Sequence, residues 1–158
     1  AKDFPNVTLM LEPGRAIAAN AGVLLTSVEY IKPSEDKRFV LVDAGMNDML
    51  RPSLYQAWHD IVPVKEKSDE APQISDIVGP VCETGDFLGH ARHLNVAQDD
   101  ILAVKHAGAY GFTMASNYNS RGRPAEVMVS GNDARLVRER ENFDDLIRGE
   151  HLLDKDYI

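Results

Sequence analysis

Four groups of side chains in this sequence have the types and spacing to do chemistry. Glu12-Pro13-Gly14-Arg15 sets a carboxylate and a guanidinium on either side of a Pro-Gly pair. Pro13 fixes one φ angle and Gly14 permits an unusual one, so both charges are held in a rigid turn. Together they can address a cation and an anion on one ligand, although a structural salt bridge at a strand end has the same look. Arg51 and Tyr55 are four apart and share a face on a helical turn. They offer a bidentate fork for a carboxylate with a hydroxyl beside it, or else a solvated surface pair. In Cys82-Glu83-Thr84-Gly85-Asp86, a thiol can deliver a proton once its pKa is tuned from about 8.5. Glu83 and Asp86 form a carboxylate pair suited to an ammonium group, while Cys82 read alone is equally a small buried hydrophobe. Gly108-Ala109-Tyr110-Gly111 surrounds one phenol with tiny residues. This permits a close backbone approach to a ligand or cofactor, or simply a tight bend around a core tyrosine.

These groups need elements to hold them. Val7–Leu11 (VTLML) is a short apolar run, read as a buried strand that ends at Glu12, like the functional end of an α/β-barrel strand. Ala16–Ala21 is Ala-rich and reads as a turn or two of helix. Gly22–Lys32 and Arg38–Val42 read as strands joined through Pro33-Ser34-Glu35-Asp36 into a hairpin. Asn47–Trp58 reads as a helical turn region limited by Pro52. Asp60–Val64, Ile74–Val81 and Ile101–Val104 read as further strands, and the charged Lys65–Gln73 as a loop. Ala125–Val129 and Ala134–Arg138 flank Gly131-Asn132-Asp133, a hairpin signal. Asn142 caps a last helix over Phe143–Gly149, with Asp144 and Asp145 in its first turn. The chain is therefore mainly β, with short helical pieces at both ends and a composition shift near Ala21–Gly22.

Composition bounds the function. With 158 residues, 44% hydrophobic and 27% charged, the chain fits one soluble globular domain. Its 25 acidic against 17 basic residues give a net charge of −8, which opposes general binding to phosphate backbones. No apolar run reaches the ~18 residues of a membrane helix. With Cys82 as the single cysteine there is no intrachain disulfide, which fits a reducing, cytoplasmic setting. The five histidines (His59, His90, His93, His106, His151) show no zinc spacing, so no metal is expected. The start at Ala1, without Met or signal pattern, suggests a piece of a longer chain or a processed one.

The runs LEPGRAIAANAGVLL, DAGMNDMLRPSLY, GPVCETGD and GAYGFTMASNYNSR, in this order, resemble diaminopimelate decarboxylase over nearly the whole chain. That family uses pyridoxal 5'-phosphate to make L-lysine and CO2 from meso-2,6-diaminopimelate. The resemblance implies the C-terminal Greek-key β-barrel or sandwich of a two-domain enzyme, preceded by the last strand of the α/β barrel and ended by a short helix. Residues 1–21 would be the terminal piece of the cofactor-binding barrel and 22–158 the β domain. The partners implied are the N-terminal barrel half, a second copy in a homodimer with the active site at the interface, and a small-molecule substrate. Glu12 would face the pyridine nitrogen of the cofactor. Gly14 and Arg15 would lie at its phosphate, with Arg15 also reaching substrate. Arg51 and Tyr55 would hold the distal carboxylate and Glu83 the distal ammonium group. Cys82, from the partner subunit, would be the proton donor, and Tyr110 would touch cofactor and substrate. The lysine that anchors the cofactor matches none of Lys2, Lys32, Lys37, Lys65, Lys67, Lys105 or Lys155, so the resemblance implies that these residues alone are inactive.

Two other readings stand beside this one. A sister decarboxylase acting on ornithine, arginine or carboxynorspermidine would share the fold, but ornithine gives Arg51 no distal carboxylate to grip. A non-enzymatic β-barrel interaction module would leave the charged clusters as mere surface.

Overall fold

The computed structural model describes residues 6–67 and 71–154. The first element among the described residues is a short helix, α1 (Gly14–Ala18), continued by a 3-10 turn over Ala19–Ala21. Six strands follow: β1 (Leu24–Pro33), β2 (Arg38–Val42), β3 (Ile61–Pro63), β4 (Gln73–Val78), β5 (Phe87–Leu94) and β6 (Ile101–Val104). They form one sheet in the order β3-β6-β1-β2-β4-β5. All pairs are antiparallel except β2–β4, which is parallel. The sheet curls into a nearly closed barrel, and its two edge strands meet again across Gly89 and Ile61. A helix, α2 (Arg51–Tyr55), sits between β2 and β3. A separate hairpin, β7 (Glu126–Ser130) and β8 (Asp133–Arg138), and a last helix, α3 (Phe143–Ile147), end the chain.

The core follows from alternation along the strands. Val28, Val40, Val42, Ile77, Leu88, Leu102 and Val104 all point inward and are essentially inaccessible. Met49 joins them from the segment ahead of α2. Burial of this apolar set, at roughly 25 cal/mol per Å2, is what holds the barrel together. Among the described residues no helix is long and apolar enough to cross a membrane.

The first hairpin, the short β3 and β6, and the β7–β8 hairpin fall where the sequence predicts them. The last turn uses Gly131 at φ +58°, a conformation glycine adopts at no steric cost. Asn142 caps α3 by accepting from the amides of Asp144 and Asp145, and Asp145 returns a bond to the Asn142 amide. This reciprocal box starts the helix as expected.

Other expectations are corrected. Val7–Leu11 is not a strand among the described residues: it pairs with none of them, and Val7, Leu9, Met10 and Leu11 are all exposed. A strand needs ladder partners, and the described residues provide none for this run. Pro52 does not limit the helical region but starts it, standing in the first turn of α2, where its missing N–H costs nothing. Gln56, at φ +52°, ends that helix in the left-handed conformation. Ile74–Val81 stops pairing at Val78. Strand β5 falls outside the elements that the sequence predicts. Its sequence, FLGHARHL, is polar and glycine-bearing, so it lacks the alternating signal. His90 and His93 lie on this strand.

Candidate functional site

The site assembles where α1 docks on the turn after β6. Pro13, at φ −82° and ψ 50°, forms a tight turn closed by the Gly14 amide donating to the Glu12 carbonyl at 2.9 Å. This is an inverse γ-turn, and it starts α1. The helix is anchored from its far end. The amide of Gly108 donates to the Ala19 carbonyl, and that of Ala107 to the Gly22 carbonyl. Gly22 and Gly108 face each other so closely that a Cβ on Gly22 would stand 2.7 Å from the Gly108 Cα. The two glycines let the backbones touch, and the contact carries Gly14 to Tyr110. A Cβ on Gly14 would lie 3.3 Å from the Tyr110 hydroxyl.

Tyr110 has φ +60°, a strained state for a bulky residue and the kind of cost found at ligand sites. Its half-exposed ring lies 5.3 Å from the guanidinium carbon of Arg51, which stands 5.3 Å from the Tyr55 ring as well. Arg51 is thus steadied between two aromatic faces. Among the described residues no carboxylate stands within ion-pair distance of it. Its fork is free for an external anion. Glu12 and Arg15, which flank Pro13 and Gly14 in the chain, are both exposed. A cavity of about 570 Å3, lined in part by Gly22, Met49, Gly108, Tyr110, Phe112 and Met128, opens next to it.

Cys82 and Glu83 form a second group. Both are exposed, which sets aside the reading of Cys82 as a buried hydrophobe. The Glu83 carboxylate accepts from the Gly85 amide at 3.4 Å and from the Tyr118 hydroxyl at 3.5 Å. A groove of about 710 Å3 runs between Pro52, Ser53 and Gln56 of the α2 region and Thr84 and Gly85. Chain neighbours of Arg51 and of Glu83 line this groove, while Arg51, Tyr55, Tyr110, Cys82 and Glu83 themselves do not.

Asp86 does not join Glu83 in facing a ligand. It is 4% exposed, and its two carboxylate oxygens accept from the amides of Met46 and Val81. Burial raises its pKa, against the pull of those amides. Its place as half of an ammonium-binding pair is withdrawn, because both oxygens are occupied inside the protein.

A polar network the sequence reading missed fixes the segment leading to Arg51. The Thr26 hydroxyl donates to Asp43 at 2.6 Å and accepts from the Ala44 amide. Buried Asp48 accepts from the Gly45 amide and the Asn47 side chain, and its pKa is raised by burial. Arg121 reaches across 74 residues to donate to the Asn47 side chain, and also donates to the Asp43 carbonyl at 2.6 Å. Asn47, Asp48 and Arg121 all lie inside the quoted motifs. Their polarity in otherwise apolar runs was the available signal. Among the described residues no group of three or more His, Cys, Asp or Glu side chains could hold a metal ion.

The comparison with known families decides the lineage. The model for the C-terminal sheet domain of pyridoxal-dependent decarboxylases matches residues 16–108. The chain belongs to this decarboxylase family. It is 58% identical over 148 residues to the diaminopimelate decarboxylase of Pseudomonas aeruginosa, covering 94% of this chain and 35% of that protein. It is 59% identical over 141 residues to the enzyme of the same name from Vibrio cholerae, covering 89% and 34%. Among solved structures, diaminopimelate decarboxylase from M. jannaschii in complex with L-lysine superposes with a TM-score of 0.85 at 45% identity, covering 90% of this chain and 32% of that one. The chain thus spans about a third of the length of the decarboxylases it matches.

Proposed function

We propose that this chain is the C-terminal part of a pyridoxal 5'-phosphate-dependent carboxy-lyase that converts meso-2,6-diaminopimelate to L-lysine and CO2 in the cytoplasm. Residues 1–21 belong on this reading to the cofactor-binding barrel and 22–158 to the β domain. The N-terminal barrel half and a second copy of the protein complete the site. The observation that carries the reading is Arg51, held between the rings of Tyr55 and Tyr110 with no carboxylate partner among the described residues. Such a fork suits a substrate with a second amino-acid head. The relatives named above support the same substrate, and one of them was solved with L-lysine.

The residues present fit the cofactor. At Gly14 the absent Cβ leaves open the space beside the Tyr110 hydroxyl, and Arg15 adds a cation for a phosphate. Gly14, Arg15, Tyr110 and Glu12 would hold the group. When bound, it supplies an electron sink for the pair left by the broken carbon–carbon bond. Glu12 keeps a proton on the pyridine nitrogen. Arg51 and Tyr55 bind the carboxylate of the head that does not react, and Glu83 binds its ammonium group. Arg15 orients the substrate. The proton for the carbon that lost the carboxylate comes from the Cys82 thiol of the second copy.

The test is carbon dioxide release by the full-length protein with pyridoxal phosphate, offered meso-diaminopimelate, ornithine and arginine side by side. Turnover of diaminopimelate alone is expected. Preference for either other substrate overturns the role given to Arg51. The 158 residues by themselves, without the anchoring lysine, are expected to release none.

A further inference from the structure

We propose that Asp86 is a positioning residue for this reaction: its carboxylate ties the loop of Cys82 and Glu83 to the turn that leads into Arg51 and Tyr55. The proposal rests on the functional reading above. One Asp86 oxygen accepts from the Met46 amide at 2.6 Å, and the other from the Val81 amide at 2.7 Å. Val81 immediately precedes Cys82. Met46 stands in the turn whose Gly45 carbonyl accepts from the amides of Asp48 and Met49, just ahead of α2. The Asp86 backbone closes the same loop, donating to the Glu83 carbonyl at 3.1 Å and accepting from the Gly79 amide at 3.1 Å. Each polar group of this residue is therefore spent on the joint.

The joint is built tightly. A Cβ on Gly79 would come within 2.7 Å of both an Asp86 oxygen and the Gly45 Cα. Only glycine at position 79 leaves room for the carboxylate. Both of its partners are N–H donors, so the joint needs a group that only accepts. Bonds from amides to an ionised carboxylate are also the stronger kind.

The two sides of the joint are unequally secured. The Met46 side has the Thr26–Asp43, Asp48–Gly45 and Arg121–Asn47 bonds as well. Among the described residues, the Cys82 side has one other hydrogen bond to a distant segment, the 3.5 Å contact of Tyr118 with Glu83. Loss of the Asp86 carboxylate therefore frees the thiol loop and leaves the carboxylate clamp in place.

The experiment uses the full-length protein loaded with pyridoxal phosphate. Three properties are read: the alkylation rate of Cys82 by iodoacetamide, followed on its own peptide; kcat and KM for meso-diaminopimelate; and the thermal midpoint. Asp86→Asn presents an NH2 group to one of the two amides. It is expected to change the Cys82 alkylation rate, raise KM and lower kcat by about 10–100-fold, the scale of a misplacement near 1 Å. Asp76→Asn is the control. Asp76 is as deeply buried and accepts from the Ala91 amide and Lys37, with His90 beside it, and it bonds to neither the Cys82 loop nor the Met46 turn. It is expected to lower the thermal midpoint and leave kcat, KM and Cys82 alkylation unchanged. Wild-type alkylation and kinetics in Asp86→Asn, or the same changes in Asp76→Asn, overturn the proposal. If Asp86→Asn does not fold, Gly45→Ala pushes on the joint more gently. Its Cβ would stand 3.1 Å from the Asn47 side-chain oxygen, 3.2 Å from Val81 and 3.3 Å from an Asp86 oxygen. It must give smaller changes of the same kind, and no change overturns the proposal. If the wild-type protein does not turn over diaminopimelate, the functional reading fails, and the alkylation rates alone decide whether Asp86 sets the loop.

Discussion

Replacing Arg51 with Gln tests the clamp directly. The guanidinium sits between two rings at 5.3 Å and has no internal carboxylate partner among the described residues. Its binding capacity is therefore available to substrate. Hydrogen bonds to a charged group contribute about 1.5–3 kcal/mol each, so a bidentate grip has a ceiling near 6 kcal/mol. Arg51 is only half-buried, and water screens it, so about 3 kcal/mol is the better figure. At about 1.4 kcal/mol per tenfold, kcat/KM for meso-diaminopimelate falls about 10²-fold. The two aromatic contacts, about 0.5–1 kcal/mol each, affect the stability of the free protein rather than this ratio. Arg51→Lys keeps a point charge without the fork and loses about tenfold. The assay is steady-state carbon dioxide release, with L-lysine as competitive inhibitor. Lysine keeps the head that does not react, so its inhibition constant must rise by the same factor as kcat/KM falls. A fall in kcat/KM with unchanged lysine inhibition would refute the clamp, as would a loss under threefold.

Two further outcomes follow from the packing. Gly108→Ala sets a Cβ 2.8 Å from the Gly22 amide nitrogen and closer still to the Ala18 carbonyl. Backbone cannot yield as a side chain can, so α1 must undock, and cofactor affinity of the full-length protein falls at least tenfold by fluorescence titration; an unchanged affinity contradicts the docking described. Glu141 has its pKa lowered to about 2 from 4.5, first by the Arg123 amide, then by Asn117 and the Arg123 guanidinium. A lowered folded-state pKa stabilises above the unfolded value and is lost as pH falls from about 4.5 towards 2. The expected loss, on the order of 2 kcal/mol after allowing for partial exposure, is read as the wild-type minus Glu141→Gln difference in unfolding free energy, large at pH 6 and vanishing near pH 2.

The sequence by itself determined what local chemistry can encode. Turn residues placed the first hairpin and the one at Gly131. Asn142 and Asp145 wrote the cap of α3. The Arg51–Tyr55 spacing put both on one helical turn, as observed. The four ordered motifs pointed to the family that the comparison established. Tertiary structure decided whatever depends on partners distant in the chain. β5 is a strand because β4 supplies its ladder, although its own residues carry no strand pattern. Val7–Leu11 has the pattern, but the described residues offer it no ladder and it is exposed among them. Tyr110 could be placed against Arg51 and Gly14 only after the Gly22–Gly108 contact had folded the chain back on itself. Asp86 reads in sequence as a ligand for an ammonium group, like Glu83 three residues before it. Its environment turns it inward instead, because two unpaired amides in a dry joint offer a carboxylate more than water does. Residue type and spacing state which bonds a side chain is able to make. Burial and the nearest competing donor decide which of those bonds it does make.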